Sequence, residues 1–315
     1  NIMWAFGVLS FRSAQLTTAM AERSAQVTAQ FTAQEVSNVA FGFQALEQPT
    51  RLRRFLEETS EHFSSCAMPS DGASWADFAN SVGAAVEKGG EFPGATGVET
   101  SFRKLLLDPA VDGLARITAP HVDLQEALAS LQLTLDASEL PYFGVHYTRE
   151  VLARLEIGCV KLGDAPAWAK QARRECVKVG GHWKIPATDT ILAYASWDVH
   201  CQGRALVNPG KVYRAHRVER SEEDAEGLLQ PLRQHIRRDT HAERLALLEL
   251  LVVVLREGQL QDCRGEVRIY VSQYPCISCI ACFCQFRRRC PQVMLEIDFD
   301  CAWVTFCGEP RFLSR

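Results

Sequence analysis

Two short stretches near the C-terminal end combine residue types that bind a catalytic metal ion. The first is His241-x-Glu243, and the second is Pro275-Cys276-x-x-Cys279. Cysteines three residues apart lie on one face of a helix, so Cys276 and Cys279 can bind a single ion. An imidazole from His241 adds a nitrogen ligand, and three protein ligands leave the fourth position of a tetrahedral zinc ion open for water. The spacing therefore predicts one zinc ion per chain.

Glu243 supplies the other group that hydrolytic chemistry needs. Zinc lowers the pKa of a bound water to about 7, and a nearby carboxylate can take a proton from that water and pass it to a substrate. The residues alone leave other interpretations open. Thr240 and Glu243 have the spacing of a capping box, and His241 could lie on the surface of a first helical turn. The two cysteines could also be a structural zinc half-site or a redox pair.

The distribution of the cysteines favours a local metal site over a disulfide framework. Of the twelve cysteines, eight lie between Cys263 and Cys307, whereas a secreted disulfide scaffold spreads its cysteines through a short chain. Cys282 could be an alternative ligand, although packing as a small buried side chain is favoured. Cys284 is expected to point to another side of the helix. The cysteines expected to be buried or incidental are Cys263, Cys290, Cys301 and Cys307.

The surrounding residues predict an order of elements that brings the two stretches together. The predicted elements are a hairpin over 191–197 and 205–212, a helix over 240–256, a strand over 267–271, a helix over 276–289 and a strand over 293–299. The second hairpin run is interrupted by Asn208-Pro209-Gly210. This order predicts an α/β sandwich, in which two helix N-termini meet on one side of the sheet.

The N-terminal part carries a possible repeat of helical units. Residues 1–6 with Leu9 recur as residues 38–43 with Leu46, an offset of 37 residues. A period of this length indicates stacked two-helix units, although two amphipathic helices could match by chance. The pattern fades over 66–100, where Gly, Ser and Ala predict a loop or a decayed repeat.

Three segments are therefore predicted. Apolar residues at helical spacing predict helices over 122–135 and 148–155, and Gly180-Gly181 marks a boundary. The segments are helical repeats over 1–65, a helical or linker region over 66–185, and a metal-binding α/β domain over 186–315.

The composition limits the classes of protein to consider. Hydrophobic residues make up 47% and charged residues 23% of the chain, which is typical of a globular protein. A net charge of −4 argues against a uniformly basic nucleic-acid binder but allows local basic patches. No window reaches the roughly 18 to 20 apolar residues of a membrane span. Because the chain begins at Asn1 inside the apparent repeat, we expect a fragment whose targeting segment is out of view.

Residues 186–315 resemble the zinc-dependent cytidine deaminase-like superfamily, through H-x-E followed by P-C-x-x-C. By that resemblance His241, Cys276 and Cys279 are the zinc ligands and Glu243 is the catalytic acid and base. It also implies a three-layer α/β/α sandwich with a mixed sheet. Substrate does not follow from this fold, which nucleotide deaminases and toxin deaminases share.

The N-terminal part resembles the heptatricopeptide repeats of organellar RNA-associated proteins in alveolate protists, whose SN-x-x-WAF core is echoed by Ser37-Asn38 and residues 1–6. Together the two parts resemble organellar editing proteins, in which a repeat array delivers a DYW-type deaminase. The resemblance implies hydrolytic deamination of a base in single-stranded RNA, cytosine being favoured over adenine, in a mitochondrion or plastid. The chain departs from the plant members because it lacks a C-terminal Asp-Tyr-Trp and has Ile280 after Cys279.

Basic and aromatic residues around the two stretches are candidates for RNA contact. Arg237 and Arg238 precede the first stretch, and Arg287 and Arg288 end the second helix, where they could hold phosphates. The alternative is a solvated helix end with cations near its dipole. Candidates for base stacking, each with core burial as the alternative, are Trp197, Tyr270 and Tyr274. The histidines interpreted as structural are His146, His182 and His200.

Three other functions remain open at this point. A deaminase of free nucleosides or nucleotides would need neither the repeat nor the arginines. A catalytically inactive RNA-binding protein with a structural zinc would have no need for Glu243. A cysteine redox module would form a reversible disulfide between Cys276 and Cys279 and would bind no stoichiometric metal.

Overall fold

A computed structural model describes residues 2–9, 11–27, 30–64, 72–89, 94–160, 166–180, 191–214, 227–232 and 241–299. Within these ranges the chain divides into two compact units. The first comprises residues 2–109 and 135–147, and the second comprises residues 110–134 and 148–299. No helix in the described ranges is both long enough and apolar enough to cross a membrane.

The first unit begins with six helices, which contact one another two positions apart along the chain. They are α1 (Ile2–Leu9), α2 (Ala14–Val27), α3 (Ala33–Ala45), α4 (Pro49–Ser64), α5 (Gly72–Gly89) and α6 (Ala95–Phe102). Helix α3 contacts both α1 and α5, and α4 contacts both α2 and α6. A Cβ atom at Gly42 would lie 2.4 Å from the Met3 carbonyl oxygen, so the missing side chain lets α1 and α3 approach closely.

The predicted loop over 66–100 is wrong for the residues of α5 and α6, which are helical. Trp75, Phe78 and Val82 lie at helical spacing and are buried, and they anchor α5 in the core. The small residues that suggested a loop are sites of close packing instead, because a Cβ atom at Gly83 would overlap the His146 ring. Phe78 stands 37 residues after Phe41, a continuation of the N-terminal offset that could have predicted this helix.

The segment that follows is largely helical. After a π-helical turn at Arg103–Leu107, the elements are α7 (Asp108–Thr118), α8 (Leu124–Ser138), α9 (Gly144–Arg154), the two-residue strand β1 (Gly158–Cys159) and α10 (Ala167–Gly180). The helices predicted over 122–135 and 148–155 are confirmed as α8 and α9, although α9 begins four residues earlier than expected.

A five-stranded mixed sheet forms the core of the second unit. Its other members are β2 (Leu192–Cys201), β3 (Arg204–Arg214), β4 (Arg264–Val271) and β5 (Val293–Phe299), and the strand order is β1-β5-β4-β2-β3. Strands β1, β5 and β4 run parallel to one another, whereas β2 is antiparallel to both β4 and β3. The predicted hairpin and the two predicted strands are thus confirmed, and the chain is of the α/β class.

The second hairpin run is not interrupted, because Asn208, Pro209 and Gly210 lie within β3. Their irregularity is accommodated by a register shift between Ala195 and Trp197 of β2. β3 pairs only with β2 among the five strands, and an edge strand tolerates a proline that cannot donate a ladder hydrogen bond.

Both faces of this sheet are buried. Leu192, Tyr194 and Tyr270 point to one face and pack against Ala172 and Cys176 of α10. The alternate residues of the same strands, which point to the opposite face, are also buried, and they include Ala193, Ala195, Ile269 and Val271. The remaining helices, α11 (Ala242–Glu257) and α12 (Ile277–Arg289), pack against β2 and β3 and against β5, respectively.

Candidate metal centre

The two predicted ligand stretches form the starts of α11 and α12. His241 is the N-cap of α11 and Cys276 is the N-cap of α12. The loop before α12 is tied to the sheet through Ser272, whose backbone N–H donates to the Leu192 carbonyl at 2.9 Å and whose Oγ accepts from the Leu192 N–H at 3.0 Å. Pro275 directly precedes the N-cap Cys276.

His241, Cys276 and Cys279 come together at these two helix starts. His241 Nδ1 lies 3.2 Å from Cys279 Sγ and 3.6 Å from Cys276 Sγ, and the two sulfur atoms are 3.6 Å apart. All three cysteine and histidine ligand atoms lie within 4.8 Å of one another, and this is the single group of this kind among the described residues. Both cysteines are buried and free of disulfides.

The separations of these three atoms fit a tetrahedral zinc ion. With Zn–S bonds of about 2.3 Å and Zn–N bonds of about 2.05 Å, tetrahedral angles place two sulfur ligands about 3.8 Å apart and a nitrogen and a sulfur about 3.6 Å apart. The observed edges of 3.6, 3.6 and 3.2 Å match these values to within a few tenths of an ångström. The residues therefore form three corners of a site that could hold a metal ion.

A hydrogen bond with Cys276, together with burial, raises the pKa of Cys279 well above its ordinary value. Metal binding to such a thiol releases its proton, because the thiolate is the ligand form.

Glu243 lies in the first turn of α11 and is 2% exposed. Burial raises the pKa of its carboxyl group, and the charge of His241 acts in the opposite direction. Its Oε2 atom is buried and has no hydrogen-bond partner among the residues that the structure describes. A buried carboxylate oxygen without a partner costs free energy, so its position beside the ligands fits a site that takes up a polar molecule.

Glu243 does not lie at the helical position that a capping box requires. That motif requires the glutamate three residues after the N-cap, whereas here it is two residues after the N-cap His241. Thr240 itself lies outside the described residues.

The other cysteines in the described ranges do not join the ligand group. Cys282 is buried in the core and does not belong to the group of three ligand atoms, which favours the packing interpretation over an alternative ligand. Cys263, Cys284 and Cys290 are buried as well, whereas Cys301 and Cys307 lie outside the described residues.

The three arginines at the end of α12 donate to backbone carbonyls within the second unit. Arg287 donates to the Leu155 carbonyl just beyond α9. Arg288 reaches the end of α7, where it donates to the carbonyls of Ile117, Ala119, Pro120 and Val122, the shortest distances being 2.8 Å. Arg289 donates to the Leu228 and Gly227 carbonyls at 2.7 and 3.3 Å. Because these donors are already engaged, the structure favours an intramolecular role for Arg287 and Arg288, and RNA contact by them stays a prediction.

Replacing Arg288 by Ala is expected to lower the free energy of unfolding by about 2 kcal/mol, because a hydrogen bond from a charged donor contributes about 1.5–3 kcal/mol. Denaturant unfolding of the full chain measures this change. Arg256→Ala is the control, because Arg256 is exposed in the last turn of α11. If Arg288→Ala left the free energy of unfolding unchanged but weakened RNA binding, the intramolecular role of Arg288 would be contradicted and its contact with an RNA phosphate would be supported.

Most of the remaining candidates for RNA contact are either buried or outside the described residues. Tyr270 and Trp197 are buried, which favours core packing, and Tyr274 is half-buried. The candidates Arg237 and Arg238 lie outside the described residues. Two of the histidines interpreted as structural lie near carboxylates: His146 Nδ1 is 3.5 Å from Glu87 Oε2, and His200 Nε2 is 3.5 Å from Asp198 Oδ1. The third, His182, is outside the described residues.

Two buried polar residues near the site, Arg244 and Gln285, are not predicted from the sequence. Arg244 follows Glu243 directly and is 1% exposed, and Gln285 of α12 is fully buried. Ser278, Gln285 and Arg289 are spaced by seven and four residues, which places them on one face of α12. That polar stripe in an otherwise apolar helix is the signal that could have found them.

Comparison with known proteins adds no relative to this description. No protein-family model, no curated protein and no solved structure matches the chain.

Proposed function

We propose that this chain is a zinc-dependent hydrolytic deaminase that acts on a base in RNA. The observation that supports the proposal most directly is the juxtaposition of His241, Cys276 and Cys279, at separations suited to tetrahedral zinc, with the buried carboxylate of Glu243 two residues from one ligand. A structural site needs no such carboxylate, whereas hydrolysis needs a group that moves protons.

The proposed roles divide between binding and proton transfer. His241, Cys276 and Cys279 would hold the ion, and a fourth position is left for a molecule of water. When bound, zinc supplies a water nucleophile with a lowered pKa. Glu243 would transfer two protons in turn: the first from the attacking water to the ring nitrogen, and the second from the hydroxyl group then on the ring carbon to the departing amino group. The balance is one water consumed and one ammonia released, which converts cytosine to uracil or adenine to hypoxanthine.

The arrangement of elements supports the same proposal. The hairpin, helix, strand, helix and strand of residues 192–299 follow the order implied by the resemblance to the cytidine deaminase-like superfamily. Helices α1–α6 are the part of the chain that the resemblance to organellar repeat proteins assigns to binding an RNA strand. We favour cytosine as the base and a mitochondrion or plastid as the location on the same resemblance.

A deamination assay on the purified full chain tests the proposal. Zinc-loaded protein is incubated with mixed-sequence single-stranded RNA, with cytidine and with cytidine monophosphate, and uracil and hypoxanthine formation are measured by mass spectrometry. We expect conversion in the RNA alone. Conversion of the free nucleoside or nucleotide alone would favour the smaller-substrate deaminase, and RNA binding with zinc but without any conversion would favour the inactive RNA-binding protein.

A further inference from the structure

Residues 227–232 are held by side chains of the two helices that carry the candidate ligands. This irregular segment buries Leu229 and Leu232. Its backbone hydrogen bonds go to side chains of α11 and α12, and we call these bonds the clamp.

Besides the Arg289 bonds to Leu228 and Gly227, the bonds from α12 involve two fully buried side chains. The Gln285 amide binds both backbone groups of Gln230: its Oε1 accepts from the N–H at 2.8 Å and its Nε2 donates to the carbonyl at 2.7 Å. Ser278 Oγ accepts from the Leu232 N–H at 3.0 Å. Gln285 is 0% exposed and Ser278 is 1% exposed, so no water competes for these bonds.

The bond from α11 comes from Arg244, whose Nε donates to the Leu229 carbonyl at 2.9 Å. The clamp therefore reaches both helices close to the metal centre. Arg244 follows Glu243 in the chain, and Ser278 lies between Cys276 and Cys279.

We infer that Ser278, Gln285 and Arg244 are positioning residues, which use residues 227–232 as a bracket to set the start of α11 against the start of α12. The inference rests on the proposed function, because it concerns the geometry of the proposed zinc ligands. His241 and Glu243 are carried by one helix and both cysteines by the other, so ligand geometry depends on how the two helix starts are held together. A bracket bonded to the first turn of each helix limits their relative movement.

The polar character of the clamp supports positioning over simple packing. A buried amide or guanidinium costs free energy unless it is fully hydrogen-bonded, and an apolar side chain could fill the same volume without that cost. The polar groups fix the position of the segment relative to α12, because the Gln285 amide bonds to one residue of the segment, Gln230, in one orientation.

The test uses full-length Ser278→Ala, Gln285→Met and a control, Gln292→Met. Ser278→Ala removes one acceptor with little change in volume, and Gln285→Met keeps the length of the side chain but removes both bonds. Gln292 is the matched control because its amide makes an exposed bond to the Gln261 carbonyl at 3.2 Å. Circular dichroism establishes that each variant is folded, and Ser278→Ala decides the outcome if Gln285→Met does not fold.

Two readouts are measured on the folded variants. Zinc affinity by chelator competition is expected to fall about tenfold or more in the clamp variants, as is typical when groups that orient metal ligands are removed. In metal-free protein, N-ethylmaleimide is expected to alkylate Cys276 and Cys279 about tenfold faster, because loss of a buried hydrogen bond eases local opening.

The two readouts separate the clamp from the proposed function. Affinity and alkylation rates equal to those of wild type in a folded clamp variant would overturn the inference. If wild-type protein binds no zinc, the proposed function fails, and the alkylation rates still decide the clamp: faster modification supports it and equal modification overturns it.

Discussion

Glu243→Gln is expected to reduce deamination by about 10²–10⁴-fold, the factor typical of removing a positioned acid–base group. Glutamine preserves the size of the side chain in a fully buried position, but its amide cannot take up the proton of the attacking water. The three ligands are unchanged, so the variant is expected to keep one zinc ion per chain. Conversion of RNA under single-turnover conditions and elemental analysis of zinc measure the two effects.

The matched control is Glu249→Gln on the same helix. Glu249 forms an ion pair with Lys211 at 2.6 Å and is partly exposed, so the same change of charge is made away from the ligands. We expect its turnover to remain within a factor of about two of wild type, as a surface substitution changes little. Equal turnover by Glu243→Gln and wild type would remove Glu243 from the mechanism.

Cys279→Ser is expected to abolish zinc binding and, with it, all turnover. Serine offers zinc no thiolate, and loss of one of three protein ligands leaves an incomplete site. Zinc per chain by elemental analysis should fall to near zero. Because a ligand at about 1,000 times its Kd adds about 4 kcal/mol to the stability of the native state, added zinc should raise the melting temperature of wild type but not of this variant.

Cys284→Ser is the control for the cysteine prediction. Cys284 is fully buried on the same helix but is not part of the ligand group, so this variant should keep its zinc even if its stability falls.

The alternative function, a redox pair formed by Cys276 and Cys279, predicts a different result for the wild-type protein. It would give wild-type protein with no zinc, and mild oxidation would remove two free thiols that reduction restores.

The local pattern of the sequence was enough to predict the elements that carry the site. Strand β5 and helix α12 have the predicted bounds to within one residue, because alternation and helical spacing extend over their whole lengths. The convergence of His241 with the cysteines followed from the order of these elements. The start of α11 was predicted less accurately. This helix begins two residues later than expected, which changes the helical position of Glu243.

What could not be predicted depends on contacts between distant residues. Arg288 donates to the Ala119 carbonyl, 169 residues earlier, and nothing in the run of three arginines reveals that partner. The same holds for Gln285, whose partner Gln230 is 55 residues away. For α5, glycines that look like helix breakers are close-packing positions, and this becomes clear only when the neighbouring His146 is in place.

The arginine contacts at the end of α12 have a consequence for how the protein can adjust to a substrate. Helix α12 is anchored through Arg287, Arg288 and Arg289 to three separate segments, and its other end carries the cysteines. Sliding of this helix along its axis would break the contacts of all three guanidinium groups at once. We therefore expect the cysteine side of the site to stay in place, so that under the proposed function any adjustment to a bound base would fall to the side chains opposite it.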